Sequence, residues 1–336
     1  MNIQKDWGLV LAGGGGKGAY EIGAWKAIRE RKDLKISAVS GTSVGALNAA
    51  LFSVGNYERA QYIWEKQVNE DAILTSKALK EKEFLSILED ILSENRDWIM
   101  AMPGMQRMSD ISNVFLKVSA GRKAVLHTLE NILGKTLAIS TALLIEDIAK
   151  RGVFTREGLS RIIRHNGILP EVSKSTIPCF VTCYNIKNRS AEYFQLQGHS
   201  KEEMLNILLA SSALPFIFPP EEINGIQYWD GGVKDNVPVR PLYAAGFRKL
   251  LVFHLSLADY DLFSESDSLL KQIQYSPPIE DYIRYRDAVL VHIYLQKTLF
   301  DFRDTLDFHP KTIQKRMNQG YLETKKRLER VDFISL

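Results

Sequence analysis

The first part of the chain alternates short apolar runs with stretches of helical periodicity. Residues 8–12 form a nearly continuous apolar run, and Ile36, Ala38 and Val39 mark a second, shorter run within 35–40; both have the length of a buried strand. After each run, apolar residues recur at helical spacing, from Ala19 and from Ala46 onwards. This order predicts two parallel strands, each followed by a helix. Parallel strands need helices on both faces of their sheet.

A long helical pattern follows, from residue 57 to about residue 150. Two apolar stripes carry the signal: Ala60, Ile63, Trp64 and Val68, then Phe84, Ile87, Leu88, Ile91 and Leu92. Strand-like runs return at 177–184, 193–196 and 250–255. We therefore predict one α/β domain over residues 1–336, with parallel strands and helices on both faces of their sheet. Its core is formed by about 7–55 and 151–336, and about 57–150 is a helical insertion.

The second predicted strand leads into the turn Gly41-Thr42-Ser43-Val44-Gly45. A Gly-x-Ser-x-Gly turn between a strand and a helix lifts a serine hydroxyl onto an exposed, tightly bent corner. Glycines are needed on both sides because a side chain would clash with the strand or the helix. By itself, the motif also fits a turn of small residues with an inert serine.

The first predicted strand leads into a second glycine cluster, Gly13-Gly14-Gly15-Gly16-Lys17-Gly18. Consecutive glycines before a helix let several backbone N–H groups point into one small volume, and the helix N-terminus adds partial positive charge. Such a loop suits an anion. In acyl transfer, that anion is the oxygen of the tetrahedral intermediate.

Two nucleotide-binding motifs are the alternatives for this loop. Gly13, Gly15 and Gly18 satisfy G-x-G-x-x-G, but the second strand ends in the serine turn without an acidic residue to hold a ribose hydroxyl. A Walker A loop needs a glycine where this chain has Leu11, and a Ser or Thr where it has Gly18. Both alternatives are therefore disfavoured.

A third motif, Asp230-Gly231-Gly232, lies far downstream. Alone, an aspartate before two glycines is a common turn. The glycine loop, the serine turn and Asp-Gly-Gly, in this order, resemble the patatin-like phospholipase family. The stretch at 210–215 (ASSALP) and the Phe-Pro-Pro at 218–220 belong to the same resemblance, which covers about 7–55 and 175–257.

The resemblance implies a three-layer α/β/α fold with a central, mostly parallel sheet. It also implies a serine acyl hydrolase that cleaves fatty-acyl esters of phospholipids or related lipids, and we expect no cofactor. It implies that Ser43 is the nucleophile, that Asp230 is its partner in a Ser–Asp dyad, and that residues 13–18 form the oxyanion hole. Lys17 stands where the family usually has arginine. Because lysine lacks the planar guanidinium fork, a bidentate role for this side chain is in question, whereas the backbone donors do not depend on it.

A Ser–Asp dyad needs an unusual aspartate, because a carboxylate with a pKa near 4 is a weak base. Burial of Asp230 beside Ser43 would raise that pKa. The alternative is a Ser–His–Asp triad with His254, which follows Asp230 and closes a predicted strand. We expect His254 to be a strand histidine with a satisfied ring instead. The other histidines lie in no motif and show no metal-ligand spacing, so we predict no metal site.

Composition agrees with a globular enzyme. A net charge of +3 over 336 residues, without an RNA- or DNA-binding motif, argues against nucleic acid as a partner. No apolar run reaches the roughly 18 residues of a spanning helix, and the polar start of the chain argues against a signal peptide. Cys179 and Cys183 would lie about 13 Å apart in a strand, too far for a disulfide. We therefore expect a cytoplasmic protein, with the oligomeric state left open.

Two segments suggest contact with lipid. Met100, Met102, Met105 and Met108 cluster beside Trp98, and their flexible side chains fit either an acyl-chain slot or gap-filling core. The basic segment 310–330 places Ile313, Met317, Tyr321 and Leu328 near one helical face. This predicts a helix docked on the sheet with a solvated basic face, and peripheral contact with anionic lipid is the alternative.

Non-catalytic binding is the competing class of function. A lipid- or nucleotide-binding module that kept the glycine loop without turnover is disfavoured because Ser43 and Asp230 are both intact. Control of a lipase activity by a partner or a small signal is left open.

Overall fold

The computed structural model describes residues 6–76, 154–215, 217–255, 284–295, 305–331 and 333. The strands are β1 (Trp7–Leu11), β2 (Ile36–Thr42), β3 (Thr75–Ser76), β4 (Phe154–Thr155), β5 (Cys179–Asn185), β6 (Ser190–Gln195), β7 (Glu221–Ile223), β8 (Ile226–Asp230), β9 (Lys249–His254) and β10 (Val289–Tyr294). The helices are α1 (Ala19–Arg29), α2 (Val44–Val54), α3 (Tyr57–Tyr62), α4 (Glu70–Ile73), α5 (Glu157–His165), α6 (Ile168–Lys174), α7 (Lys201–Ser211), α8 (Arg240–Ala244) and α9 (Pro310–Leu328). Gly15–Gly18 and Gly231–Val233 are 3₁₀ turns, and Ile63–Gln67 is π-helical.

The central sheet has the strand order β10-β9-β1-β2-β5-β8-β7, with β6 also paired to β5. The pairings from β10 through β5 are parallel, and β6, β8 and β7 add antiparallel pairings at one side. The prediction of an α/β fold with a mostly parallel central sheet is confirmed.

Both faces of the sheet are buried, as parallel strands require. In β1, Leu9 and Leu11 belong to one apolar cluster, whereas Val10 belongs to a second cluster with Leu242 of α8. Successive strand residues point to opposite faces, so these two clusters lie on the two sides of the sheet.

The predicted strand boundaries shift by one to three residues, and three strands of the central sheet were not predicted. The run at 8–12 became β1 and the run at 35–40 became β2. The hairpin β7–β8 and the strand β10 were not predicted.

The predicted insertion begins with core structure. Tyr57 packs edge-on against Trp25, with ring centroids 5.5 Å apart, and Ile63 and Trp64 are buried. Strand β3 then pairs antiparallel with β4, which brings the two ends of 77–153 together. The second predicted stripe and the methionine cluster fall within 77–153, outside the described residues.

The C-terminal segment is helical, as predicted, but α9 packs chiefly against α1. A Cβ on Gly23 would lie 1.7 Å from the Met317 carbonyl oxygen, and one on Gly320 would lie 1.9 Å from the Tyr20 carbonyl oxygen. The two helix backbones therefore approach closely at glycines. Arg316 is not on the solvated basic face, because it is buried and donates to the Asp307 carbonyl at 2.9 Å.

Within the described part of the chain, no helix combines the length and the apolar character needed to cross a membrane.

Candidate active site

Ser43 occupies the sharp turn between β2 and α2. Its backbone has φ +56° and ψ −126°, a conformation that residues other than glycine rarely adopt. The flanking glycines allow this turn to form. A Cβ on Gly41 would lie 2.1 Å from the Gly45 carbonyl oxygen, and one on Gly45 would lie 2.4 Å from the Leu11 carbonyl oxygen. Ser43 is therefore held at a bent corner where its side chain is partly exposed.

Asp230 ends β8 and is 3% exposed. Its carboxylate accepts a hydrogen bond from the Gly232 N–H at 2.7 Å and lies near enough to the Ser43 side chain for that hydroxyl to lower its pKa. Burial raises the pKa of Asp230 to about 6, although the Ser43 hydroxyl, the Gly232 N–H and the nearby Arg156 charge lower it. Asp230 thus faces Ser43 as a carboxylate that is more basic than an ordinary aspartate.

The two glycines of the Asp-Gly-Gly motif are required because a side chain at either position would meet neighbouring atoms. A Cβ on Gly231 would lie 2.4 Å from the Thr182 carbonyl oxygen of β5. A Cβ on Gly232 would lie 2.8 Å from Oδ1 of Asn236. The two glycines let the chain turn tightly after Asp230 while its carboxylate stays directed at Ser43.

The glycine loop is clamped at its start by Asn236. The Gly13 N–H donates to the Asn236 carbonyl at 3.1 Å, and Asn236 Nδ2 donates to the Gly13 carbonyl at 3.2 Å. The Lys17 N–H is also occupied, because it donates to the Gly14 carbonyl at 3.2 Å.

Because the N–H groups of Gly13 and Lys17 are already hydrogen-bonded, fewer backbone N–H groups of the glycine loop can bind an anion. Among the described residues, the N–H groups of Gly14, Gly15 and Gly16 have no hydrogen-bond partner. Gly15 has φ +55°, and a Cβ there would lie 2.1 Å from the Thr305 carbonyl oxygen. Gly18, at the end of the loop, packs against Val44 of the nucleophile turn.

Ser43, Asp230 and the first three glycines of the loop, Gly13 to Gly15, line one cavity of about 280 Å³. Lys17, which is buried, and Arg156 also line it. The rest of the wall is mainly apolar: Val44, Leu47, Leu51, Ile63, Trp64, Val68, Ile73, Leu74, Leu159, Ile162, Ile163, Ile168, Leu208, Leu214, Phe218, Val233, Leu255, Leu306 and Phe308. An apolar pocket with a few convergent polar groups is the usual form of a site for a lipophilic ligand.

Arg156 was not found by sequence reasoning. Its guanidinium donates to the carbonyl groups of Leu209 and Pro219 and pairs with Glu221 at 2.6 Å. Burial lowers its pKa to about 10, so it remains a cation at neutral pH. No local motif marks this residue, because its partners lie more than fifty positions along the chain.

His254 does not join Ser43 and Asp230. Its Nε2 lies 2.9 Å from Nδ1 of His292, and its ring stacks on Tyr294 with centroids 4.3 Å apart. Burial and the neighbouring His292 lower the pKa of His254 to about 3, so the ring is neutral. This is the satisfied strand histidine that we expected.

The patatin-like phospholipase family model matches residues 9–243 of the chain. This match spans more than half of the sequence, so the chain belongs to the patatin-like phospholipase family. The predicted family and the predicted class of enzyme, a patatin-like phospholipase, are confirmed. No curated protein matches the chain.

Several solved structures are similar in fold. VipD from Legionella pneumophila is 18% identical with a TM-score of 0.48, and the match covers 97% of this chain and 67% of VipD. ExoU from Pseudomonas aeruginosa, in its complex with SpcU, is 16% identical with a TM-score of 0.38. This match covers 97% of this chain and 53% of ExoU. Human GIVD cytosolic phospholipase A2 is 12% identical with a TM-score of 0.39, over 96% and 57%.

The chain therefore spans between about half and two thirds of the length of these proteins. With TM-scores below 0.5, the similarities add nothing to the family assignment.

Proposed function

We propose that this chain hydrolyses fatty-acyl ester bonds of phospholipids or related lipids, with Ser43 as the nucleophile and Asp230 as its base. The observation that carries the proposal is the position of Ser43, on a strained turn beside the buried Asp230 carboxylate, at the wall of an apolar cavity. The family assignment supplies the class of substrate.

The reaction follows from these positions. Asp230 accepts the Ser43 proton as Oγ attacks the acyl carbonyl, and the carbonyl oxygen becomes an oxyanion. The N–H groups of Gly14, Gly15 and Gly16 are the donors for that oxyanion. The intermediate collapses when protonated Asp230 returns the proton to the leaving alcohol. Asp230 then deprotonates a water molecule that attacks the acyl-serine. As the bond between the acyl carbon and Oγ breaks, Asp230 returns this proton to Ser43 and the fatty acid leaves.

We place the acyl chain along the apolar wall of the cavity. Leu47 and Leu51 of α2 supply one side, and Ile63 and Trp64 of the π-helical stretch supply another. Burying the acyl chain against such side chains contributes about 0.8 kcal/mol per methylene.

The domain organisation is part of the proposal. We expect one patatin-like domain with an insertion that is bounded by the β3–β4 pairing and therefore covers about 77–153, shorter than the predicted 57–150. The residues from Tyr57 to Ile73 belong to the core, since they help to enclose the cavity. We also propose a cytoplasmic location with peripheral membrane contact. Both cysteines, Cys179 and Cys183, are free and buried, as suits a reducing compartment.

The direct test compares the wild-type protein with Ser43→Ala. We expect the variant to keep its melting temperature and lose at least about 10⁴-fold in hydrolysis of a chromogenic acyl ester. A fluorophosphonate probe should label the wild-type protein and not the variant. A folded Ser43→Ala protein with undiminished turnover would show that Ser43 is not the nucleophile.

The lipid class requires its own measurement. Vesicles of mixed phospholipids are incubated with wild-type or Ser43→Ala protein, and the released fatty acids and lysolipids are identified by mass spectrometry. Release that depends on Ser43 identifies the head group and the position cleaved. Ser43-dependent hydrolysis of soluble esters without attack on any lipid would contradict the proposed substrate.

A further inference from the structure

One buried hydroxyl ties the nucleophile turn to a neighbouring segment. The Ser43 N–H donates to Oγ of Ser211 at 2.9 Å, and Ser211 Oγ donates its own proton to the Thr182 carbonyl at 2.7 Å. An amide N–H only donates and a carbonyl only accepts, so the direction of both hydrogen bonds is determined. Ser211 is 0% exposed, and water does not compete for either bond.

The same short segment also holds Asp230. Two residues after Ser211, the Ala213 carbonyl accepts a hydrogen bond from the Asp230 N–H at 2.9 Å. The Thr182 carbonyl that accepts the Ser211 proton is packed against Gly231, next to Asp230. Residues 211–213 therefore contact the backbones of both members of the proposed dyad.

The backbone of Ser43 needs such support. A non-glycine residue at φ +56° persists only where its surroundings hold it there. Ser43 precedes the first residue of α2, so its N–H has no acceptor within the helix, and Ser211 supplies one. Losing that acceptor would free the peptide before Ser43 to rotate, which would move Oγ away from the Asp230 carboxylate and the glycine loop.

We propose that Ser211 is a positioning residue for Ser43, acting through the hydrogen bonds from Ser43 N–H to Ser211 Oγ and from Ser211 to Thr182. This inference rests on the proposed function of Ser43. In this role, the Ser211 hydroxyl sets the reactivity of the Ser43 nucleophile and leaves the affinity for substrate unchanged.

The test measures Ser211→Ala against the wild-type protein at a temperature well below both melting temperatures. We expect kcat on a soluble acyl ester, and the rate constant of inactivation by a fluorophosphonate, to fall about 10- to 100-fold while KM stays within about twofold. Ser211→Cys keeps nearly the same shape but is a weaker donor and acceptor, so both rates should lie between those of wild type and Ser211→Ala. If the alanine variant does not fold, the cysteine variant still gives the comparison.

Ser53→Ala is the matched control. Ser53 is also a buried serine (3% exposed), but its hydroxyl bonds to the Ala50 carbonyl within its own helix and it does not line the cavity. The Ser53→Ala substitution should lower the melting temperature without lowering kcat or the inactivation rate.

The outcomes separate the inference from the function on which it rests. Wild-type kcat and inactivation rate in folded Ser211→Ala, with Ser43→Ala inactive, would overturn the positioning role alone. A fall in both rates that Ser53→Ala reproduces would also overturn it, since loss of any buried hydroxyl would then suffice. Full activity of Ser43→Ala would overturn the proposed function itself.

Discussion

Asp230 is a carboxylate whose surroundings act on its charge in opposite directions. Burial penalises the ionised form and raises the pKa, whereas the Ser43 hydroxyl, the Gly232 N–H and the Arg156 cation favour the ionised form. The effect of burial is the larger one, so the pKa of Asp230 is raised to about 6. A general base works best when its pKa lies near the pH of operation, so this balance suits the role proposed for Asp230.

The pH dependence of activity is the first prediction at this scale. Asp230 must be ionised to accept the Ser43 proton, so kcat/KM for a soluble ester should fall about tenfold per pH unit below about pH 6 and level off above it. The measurement is a pH–rate profile under conditions in which the protein stays folded. His254→Ala should retain the same acid limb and most of the activity, because His254 is bonded to His292. If kcat/KM instead fell only below about pH 4, burial would not raise the pKa of Asp230.

Asp230→Asn supplies the second prediction, which concerns stability. The pKa of Asp230 is higher in the folded protein than the ordinary value of 3.8, so the folded state binds the proton more tightly. The contribution of Asp230 to the stability of the wild-type protein therefore falls as the pH rises from about 4 to about 6, by on the order of 3 kcal/mol in total. Asparagine does not titrate.

The free energy of unfolding of Asp230→Asn, minus that of wild type, should increase from pH 4 to pH 6 and then stay constant. Denaturant titrations at several pH values measure this difference. A difference that decreases over the same range would mean that the pKa of Asp230 is lowered in the folded protein. Activity of the variant should be nearly absent at every pH.

At the scale of elements, the strands and helices whose own residues form a regular apolar pattern could be predicted from the sequence. The first two strands and their helices each carry a regular apolar pattern, and glycine clusters mark the turns between them. Strand β10 was missed because His292 interrupts its apolar run, and β7 because it has only three residues. Ordered motifs pointed to Ser43 and Asp230. The sequence marks Ser211 only as part of a family motif, because the contact between Ser211 and Ser43 spans 168 positions of the chain.

The contact between α1 and α9 supports a prediction at the same scale. The Cβ introduced by Gly320→Ala would lie 1.9 Å from the Tyr20 carbonyl oxygen, so the two helices would have to separate. Overpacking of this kind costs typically 1–3 kcal/mol, and the melting temperature should fall by several degrees. Asn318→Ala, at an exposed position on the same helix, should have little effect. Equal melting temperatures for the two variants would contradict the close approach of the helices.

In the whole molecule, the candidate site depends on residues well beyond the part that the family model matches. The match ends at residue 243, yet the sheet continues beyond it, because β9 lies between β1 and the edge strand β10. Leu255 and Phe308 line the cavity, and the Thr305 carbonyl lies against Gly15 of the glycine loop. The C-terminal part of the chain therefore completes the cavity around motifs that lie in the first and middle parts.

The acyl-chain role of this cavity leads to the last prediction. Ile162 of α5 lines the cavity, so Ile162→Trp would fill space that we assign to the acyl chain. Hydrolysis of a palmitoyl ester should fall about 10- to 100-fold more than that of a butyryl ester, since only the longer chain needs the space. Leu322→Trp is the matched control, because it adds the same indole at a residue that is 54% exposed on α9 and does not line the cavity. An equal loss on both esters, with a lowered melting temperature, would mean that Ile162 supports packing and that the acyl chain binds elsewhere.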